Sequence, residues 1–258
     1  MPLQTTDLFL IERGGTLYKL TAAELAAFTG SGVGLRVDGP GFYRYFTDFM
    51  SVIADDMSNQ SAGTGAAVAI AAWPFGGNPP ASGFANGALG TTATGRAGWM
   101  SVSAIALHPR TGALLFKTRM SLRTLSDATV ANYTICVGMV DTPSGVIANG
   151  IYFRYNHAVN GGRWQAVCRI AGVETMVDTT IAAAISSMQT FEILGNAAGT
   201  EYTFYISGAL VATITTNLPA IGTGLGWGIR AVRTVGTAAT NCWLADYLLL
   251  EQTFASRS

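Results

Sequence analysis

The chain has 258 residues, 49% hydrophobic and only 12% charged, with fifteen Lys and Arg balancing fifteen Asp and Glu for a formal net charge of zero. That length suits one large all-β domain or one domain with a small appendage, and 31 glycines with few Lys and Glu favour strands over helices. Its thirteen arginines and two lysines are scattered, so no basic stripe exists to neutralise a run of phosphates, and nucleic acid is excluded as an expected partner.

In chain order, Leu8 to Glu12 and Leu17 to Leu20 read as two short strands flanking Gly14 and Gly15, which supply the positive φ angles of a tight hairpin turn. Thr21 and Glu24 stand at capping-box spacing, predicting a short helix to about Phe28. The Gly-rich stretch Thr29 to Gly41 reads as a flexible link, dividing the chain into residues 1–34 and 35–258. The first segment is too small to bury a core of its own, so it must dock on something.

From Phe42 to Gly98 the pattern is irregular, with an aromatic cluster FYRYFTDFM, a strand-like run Ala66 to Ala72, and a coil-like stretch from Phe75 to Gly98. Strands then follow regularly, near Met100 to Leu107, Ala113 to Leu122, Tyr133 to Val140, Gly150 to Tyr155, Arg163 to Ala171, Glu174 to Thr180, Thr190 to Leu194, Glu201 to Ile206, Leu210 to Thr216, Gly224 to Arg233 and Cys242 to Glu251. Tyr202, Phe204 and Ile206 alternate onto one face, and Ser207-Gly208 joins their strand to the next as a hairpin. Ile181 to Ser187 is the segment that hints at a helical turn. Many short strands at this spacing predict an antiparallel two-sheet sandwich.

Cys136, Cys168 and Cys242 are odd in number, far apart and set in apolar runs, so buried free thiols are expected rather than a disulfide or zinc framework. The longest apolar stretch, Ala66 to Phe75, is about half of what a bilayer span needs, and no signal-peptide pattern is visible. The expectation is a protein made in a reducing cytoplasm, without membrane insertion. A near-neutral apolar chain also lacks the charge that keeps monomers apart.

The opening TDLFLIERGGTLYKLTAAEL resembles the short N-terminal segment of many tailed-phage virion proteins, tail fibres in particular. The body, with LGTTATGRAGW, GIYFRY, YTFYISGALVATITTNLP and ADYLLLE, resembles the concanavalin-like (lectin/glucanase) β-sandwich domains of phage structural proteins. This resemblance implies a jelly-roll sandwich carried on a virion by residues 1–34, commonly as a homotrimer, with host surface glycans and other tail or capsid proteins as partners. Anchoring then falls on Asp7, Leu10, Glu12, Gly14, Gly15, Tyr18, Lys19, Thr21 and Glu24. A long shaft is missing from the sequence, which implies a very short fibre or adhesin, with a capsid decoration, cement or head-fibre protein as the alternative. A glycan-hydrolysing virion enzyme is the second alternative.

The residues themselves argue against catalysis. His108 and His157 lack a partner at metal-ligand spacing, and no GxSxG nucleophile elbow occurs. The family's glucanases place acids at alternating positions along one strand, whereas Asp55 and Asp56 are adjacent, and Asp246 and Glu251, five apart, should point to opposite faces of a strand. GTGLGWG, Gly222 to Gly228, lies between strands with no following helix and reads as a Gly-rich bend. No cofactor and no metal are expected. Aromatic faces and amides around one hairpin, Tyr152, Tyr155, Asn156, His157, Asn160 and Trp164, form the candidate glycan-binding set, with simple core filling as the alternative.

Overall fold

The computed structural model describes residues 8–13, 16–21, 35–39, 42–47, 57–71, 83–101, 107–157, 159–185 and 187–254. The N-terminal hairpin forms as expected: β1 (Leu8–Arg13) and β2 (Thr16–Thr21) pair antiparallel, from Leu8 opposite Thr21 to Arg13 opposite Thr16. Gly14, Gly15, Glu24 and the predicted helix to Phe28 lie outside the described residues. The Gly-rich link ends in a strand, because Leu35–Gly39 finds a pairing partner in the aromatic run that follows.

The remaining strands are β3 (Leu35–Gly39), β4 (Phe42–Thr47), β5 (Met57–Asn59), β6 (Ala66–Ala71), β7 (Phe84–Leu89), β8 (Arg96–Ser101), β9 (Leu114–Leu122), β10 (Asn132–Val140) and β11 (Gly150–Tyr155). After them come β12 (Arg163–Ile170), β13 (Val173–Ala182), β14 (Gln189–Gly195), β15 (Tyr202–Ile206), β16 (Ala209–Ile214), β17 (Gly226–Val235) and β18 (Asn241–Thr253). Among the described residues, one sheet has seven strands in the order β13-β12-β11-β10-β17-β8-β5. The other has nine, ordered β16-β15-β14-β9-β18-β4-β3, with β7 and β6 joined at β18. The long β18 pairs with β9 along one edge, and along the other with β7 through its first half and β4 through its second.

These elements follow from local chemistry. In β15, Tyr202, Phe204 and Ile206 are buried while Thr203 and Tyr205 are not, which is the period of two that the sequence shows. Ser207 (φ 50°) and Gly208 (φ 83°) give the hairpin two left-handed turn residues matching the twist of the strands. Two expectations fail. Ile181 and Ala182 continue β13, with Ala182 opposite Arg163, because pairing overrides the weak helical preference of an Ala-rich run. The coil-like stretch before Gly98 contains β7, whose small residues serve packing: a Cβ at Gly87 would lie 2.2 Å from the Trp243 ring.

The core lies between the sheets. Phe153 of the seven-stranded sheet sits 5.2 Å from both Phe191 and Phe204 of the other, edge to face, and Trp164 lies 4.6 Å from Phe191. Each buried aromatic contributes about 1.5–3 kcal/mol by burial, and its edge-to-face contacts add to that. Trp243 Nε1 donates to Ala97 O across the sheets at 3.2 Å. All three cysteines are buried thiols, as expected.

Candidate functional site

Each sheet of a sandwich has an outer face, and the two outer faces here differ in what covers them. On the seven-stranded sheet, registry places Asp178, Gln165, Arg154, Cys136 and Arg230 in one row across five strands. Arg154 grips Glu174 with both Nη atoms, each at 3.0 Å, and donates from Nε to Gln165 Oε1 at 2.8 Å. Arg169 reaches the same carboxylate at 3.2 Å. Burial disfavours the Arg154 charge, but Glu174 more than offsets this, so its pKa is raised. Gln165, only 1% exposed, finds no acceptor for Nε2 among the described residues.

The same face is crossed by the β10–β11 loop, residues 141–149. Buried Arg230 donates to Thr142 O at 2.7 Å and Gly145 O at 2.8 Å, and its burial pulls its pKa down. Asp141 accepts from Asn149 N at 2.7 Å and Asn149 Nδ2 at 3.1 Å, closing the loop on itself. Ile147 is thereby pressed into a small second core with Met100, Cys136, Val140, Tyr152 and Val167. Burial pushes the Cys136 thiol up to about 11 and the Tyr152 phenol up to about 12. Close approach matters here too: Gly228 (φ 144°) could not carry a Cβ, which would lie 2.1 Å from Trp99 O.

Two carboxylates, Glu174 and Asp178, share this face on β13, four positions apart rather than the two of alternating acids. Arg163 holds Asp178 at 3.1 Å, and the Thr180 amide keeps its pKa below the usual carboxylate range. Four residues of strand separate the pair by about 13 Å, beyond the roughly 5–9.5 Å at which two carboxyl groups flank a glycosidic bond.

Among the described residues, the outer face of the nine-stranded sheet carries no covering loop over its β4–β18–β9 strands. Arg44 and Phe46 of β4, Tyr247, Leu249 and Glu251 of β18, and Lys117 of β9 line a groove of about 510 Å³. Phe46 and Tyr247 lie with ring centroids 6.1 Å apart and planes inclined by 34°. Arg44 Nε is 2.9 Å from Glu251 Oε1, and Lys117 Nζ is 2.9 Å from Glu192 Oε2. Asp246 also points outward, against the expectation from its spacing to Glu251. The register shift between Ala245 and Tyr247 is a β-bulge that sets two consecutive residues on one face, and Asp246 meets Arg119 at 3.3 Å.

The six candidate glycan residues do not share one surface. Tyr155 and Trp164 are 1% exposed within the main core, and Tyr152 lies beneath Ile147 on the opposite side of the sheet. Buried Asn156 donates to Tyr133 O and Thr134 Oγ1. His157 and Asn160 remain partly accessible at the turn. Of the anchoring set, Leu10 stands opposite Lys19, Tyr18 opposite Ile11, Glu12 opposite Leu17 and Thr21 opposite Leu8, while Asp7 lies outside the described residues. Among the described residues no group of three or more His, Cys, Asp and Glu could hold a metal ion, and no helix is long and apolar enough to cross a membrane. Phe46 was legible as part of the aromatic cluster FYRYFTDFM, but its pairing with Tyr247, about two hundred residues further on, was not.

The sequence profile of the SO2946-like, C-terminal domain family matches residues 82–243. The crystal structure of a protein of unknown function, SO2946 from Shewanella oneidensis MR-1, superposes with a TM-score of 0.64 at 13% identity, over 93% of this chain and 97% of that one. Peanut lectin, solved with a nine-residue peptide, gives 0.56 at 11% identity over 83% and 98% of the two chains. Bacillus licheniformis β-glucanase gives 0.53 at 15% identity over 82% and 98%. At such identities the likeness shows the fold alone, a concanavalin-like lectin/glucanase β-sandwich. No curated protein sequence matches the chain significantly.

Proposed function

We infer that this chain, which belongs to the SO2946-like C-terminal domain family, is a non-enzymatic structural protein of a tailed-phage particle. In this reading the N-terminal hairpin docks on the virion as part of a short tail fibre or adhesin. The sandwich projects outward as a homotrimer and contacts host glycans. The observation that carries it is the hairpin: among the described residues, β1 and β2 form a two-stranded sheet of their own, outside the pairing of both sandwich sheets. A lone two-stranded hairpin is at best marginally stable in water, so it calls for a partner surface.

Glycan contact is supported by the lectin-like fold, and the absence of hydrolysis by the arginine clamps on Glu174 and Asp178 and their separation. Deleting residues 1–34 should remove the protein from purified particles while leaving a folded, oligomeric sandwich. A truncated protein that still co-purifies with particles overturns the reading. Imaging of labelled particles decides between tail and capsid, the latter supporting the decoration or head-fibre alternative. Release of reducing sugar from host polysaccharide would establish the enzymatic one.

A further inference from the structure

We propose that the outer face of the nine-stranded sheet is a binding groove for a neutral oligosaccharide, laid across Phe46 and Tyr247 and held at its rim by Arg44, Lys117 and Glu251. This rests on the reading that the sandwich contacts glycans, and it names the face and the ligand class. The opposite face offers little room, since its own loop and second core fill it from β8 to β12, and an arginine–carboxylate network occupies the remainder.

The groove has the parts that sugar recognition needs. Its volume of about 510 Å³ lies within the roughly 300–1,000 Å³ of small-molecule sites. Phe46 and Tyr247 form a shallow aromatic shelf suited to the flat C–H face of a pyranose ring. From β4 to β9 the shelf crosses two strand spacings, about 10 Å, with Phe46 and Lys117 on either side of Leu249. Carboxylate, ammonium and guanidinium groups at the rim supply acceptors and donors for ring hydroxyls.

Charge and exposure select the class. Arg44 and Lys117 each already face a carboxylate, Glu251 and Glu192, so the four charges cancel and an acidic sugar gains no net attraction. Their side chains stay 17% to 35% exposed, whereas the core of a protein–protein interface is depleted of charged residues. A partly exposed, charge-balanced groove with an aromatic shelf suits a polyol better than a second protein surface.

The test is a titration of the isotope-labelled full chain with maltohexaose, cellohexaose and laminarihexaose, followed by amide chemical shifts. At least one should saturate, with shift changes centred on Phe46, Lys117, Tyr247 and Leu249. Tyr247→Ala should weaken that binding about tenfold, and Lys117→Ala, at a half-buried position, should weaken it with little change in melting temperature. Arg154→Ala, on the other face, should leave it intact. The proposal falls if none of the three saturates, if shifts centre on Tyr152 and Arg154, if hexagalacturonate binds more tightly, or if the groove is buried by concentration-dependent self-association. Such a failure leaves particle incorporation through residues 1–34 untouched, so it is distinguishable from failure of the virion reading.

Discussion

The two outer faces of the sandwich start from the same strand alternation and end differently. On the seven-stranded sheet, a nine-residue loop carrying one isoleucine and two captured carbonyls turns the face into a second core, with Arg230 as its latch. On the nine-stranded sheet each charged side chain of the groove finds a cross-strand partner instead, and the aromatic pair stays at the surface. Surface patterning in single strands therefore says little about which face is free. What decides is whether a neighbouring connection is long enough, and apolar enough, to fold back.

That difference can be broken at its latch. Arg230→Ala strands two carbonyls and opens a cavity, and should cost about 3 kcal/mol in urea unfolding. Amide exchange in residues 141–149 should rise with it, and Cys136 should react faster with a thiol reagent, while Cys168 and Cys242, both 0% exposed in the main core, serve as unchanged controls. Ile147→Ala removes the wedge but keeps the latch, and should cost about 2 kcal/mol. If Arg230→Ala leaves Cys136 as slow as before, the loop is not what covers that face.

A pH series sharpens the contrast further. Burial raises the Cys136 thiol from an ordinary 9.0 to about 11, so the folded state favours the protonated thiol. Its contribution is complete below the unfolded value and is lost as pH rises through the folded one. Stability measured by urea unfolding should therefore fall between pH 9 and 11, and Cys136→Ala should flatten that decline. The smallest effect belongs to the groove face: Lys117→Ala breaks a partly exposed ion pair with Glu192 and should change stability by roughly 0.5 kcal/mol or less.

Much of the fold was legible because it is written locally. The alternation of Tyr202, Phe204 and Ile206, the Ser207-Gly208 turn and the antiparallel pairing of the first two strands all survive into the structure, since each depends on residues a few positions apart. The candidate site was less legible. Tyr152, Tyr155 and Trp164 are close in sequence, yet Tyr152 faces outward under a loop while the other two face the core, and only the period of two plus the identity of each covering layer separates them. Asp246 was misplaced because a bulge cannot be counted from spacing alone.

By itself, then, the chain determined most of its strands from β9 onward, its Ser207-Gly208 turn, its buried thiols and its sandwich class, all consequences of side-chain period and backbone preference within short windows. Tertiary structure alone decided that Arg230 closes one face, that β18 serves two neighbours along one edge, and that Phe46 and Tyr247 meet from strands about two hundred residues apart. Those outcomes depend on which strands become neighbours, and pairing over such separations is selected by the packing of the whole core rather than by any local propensity.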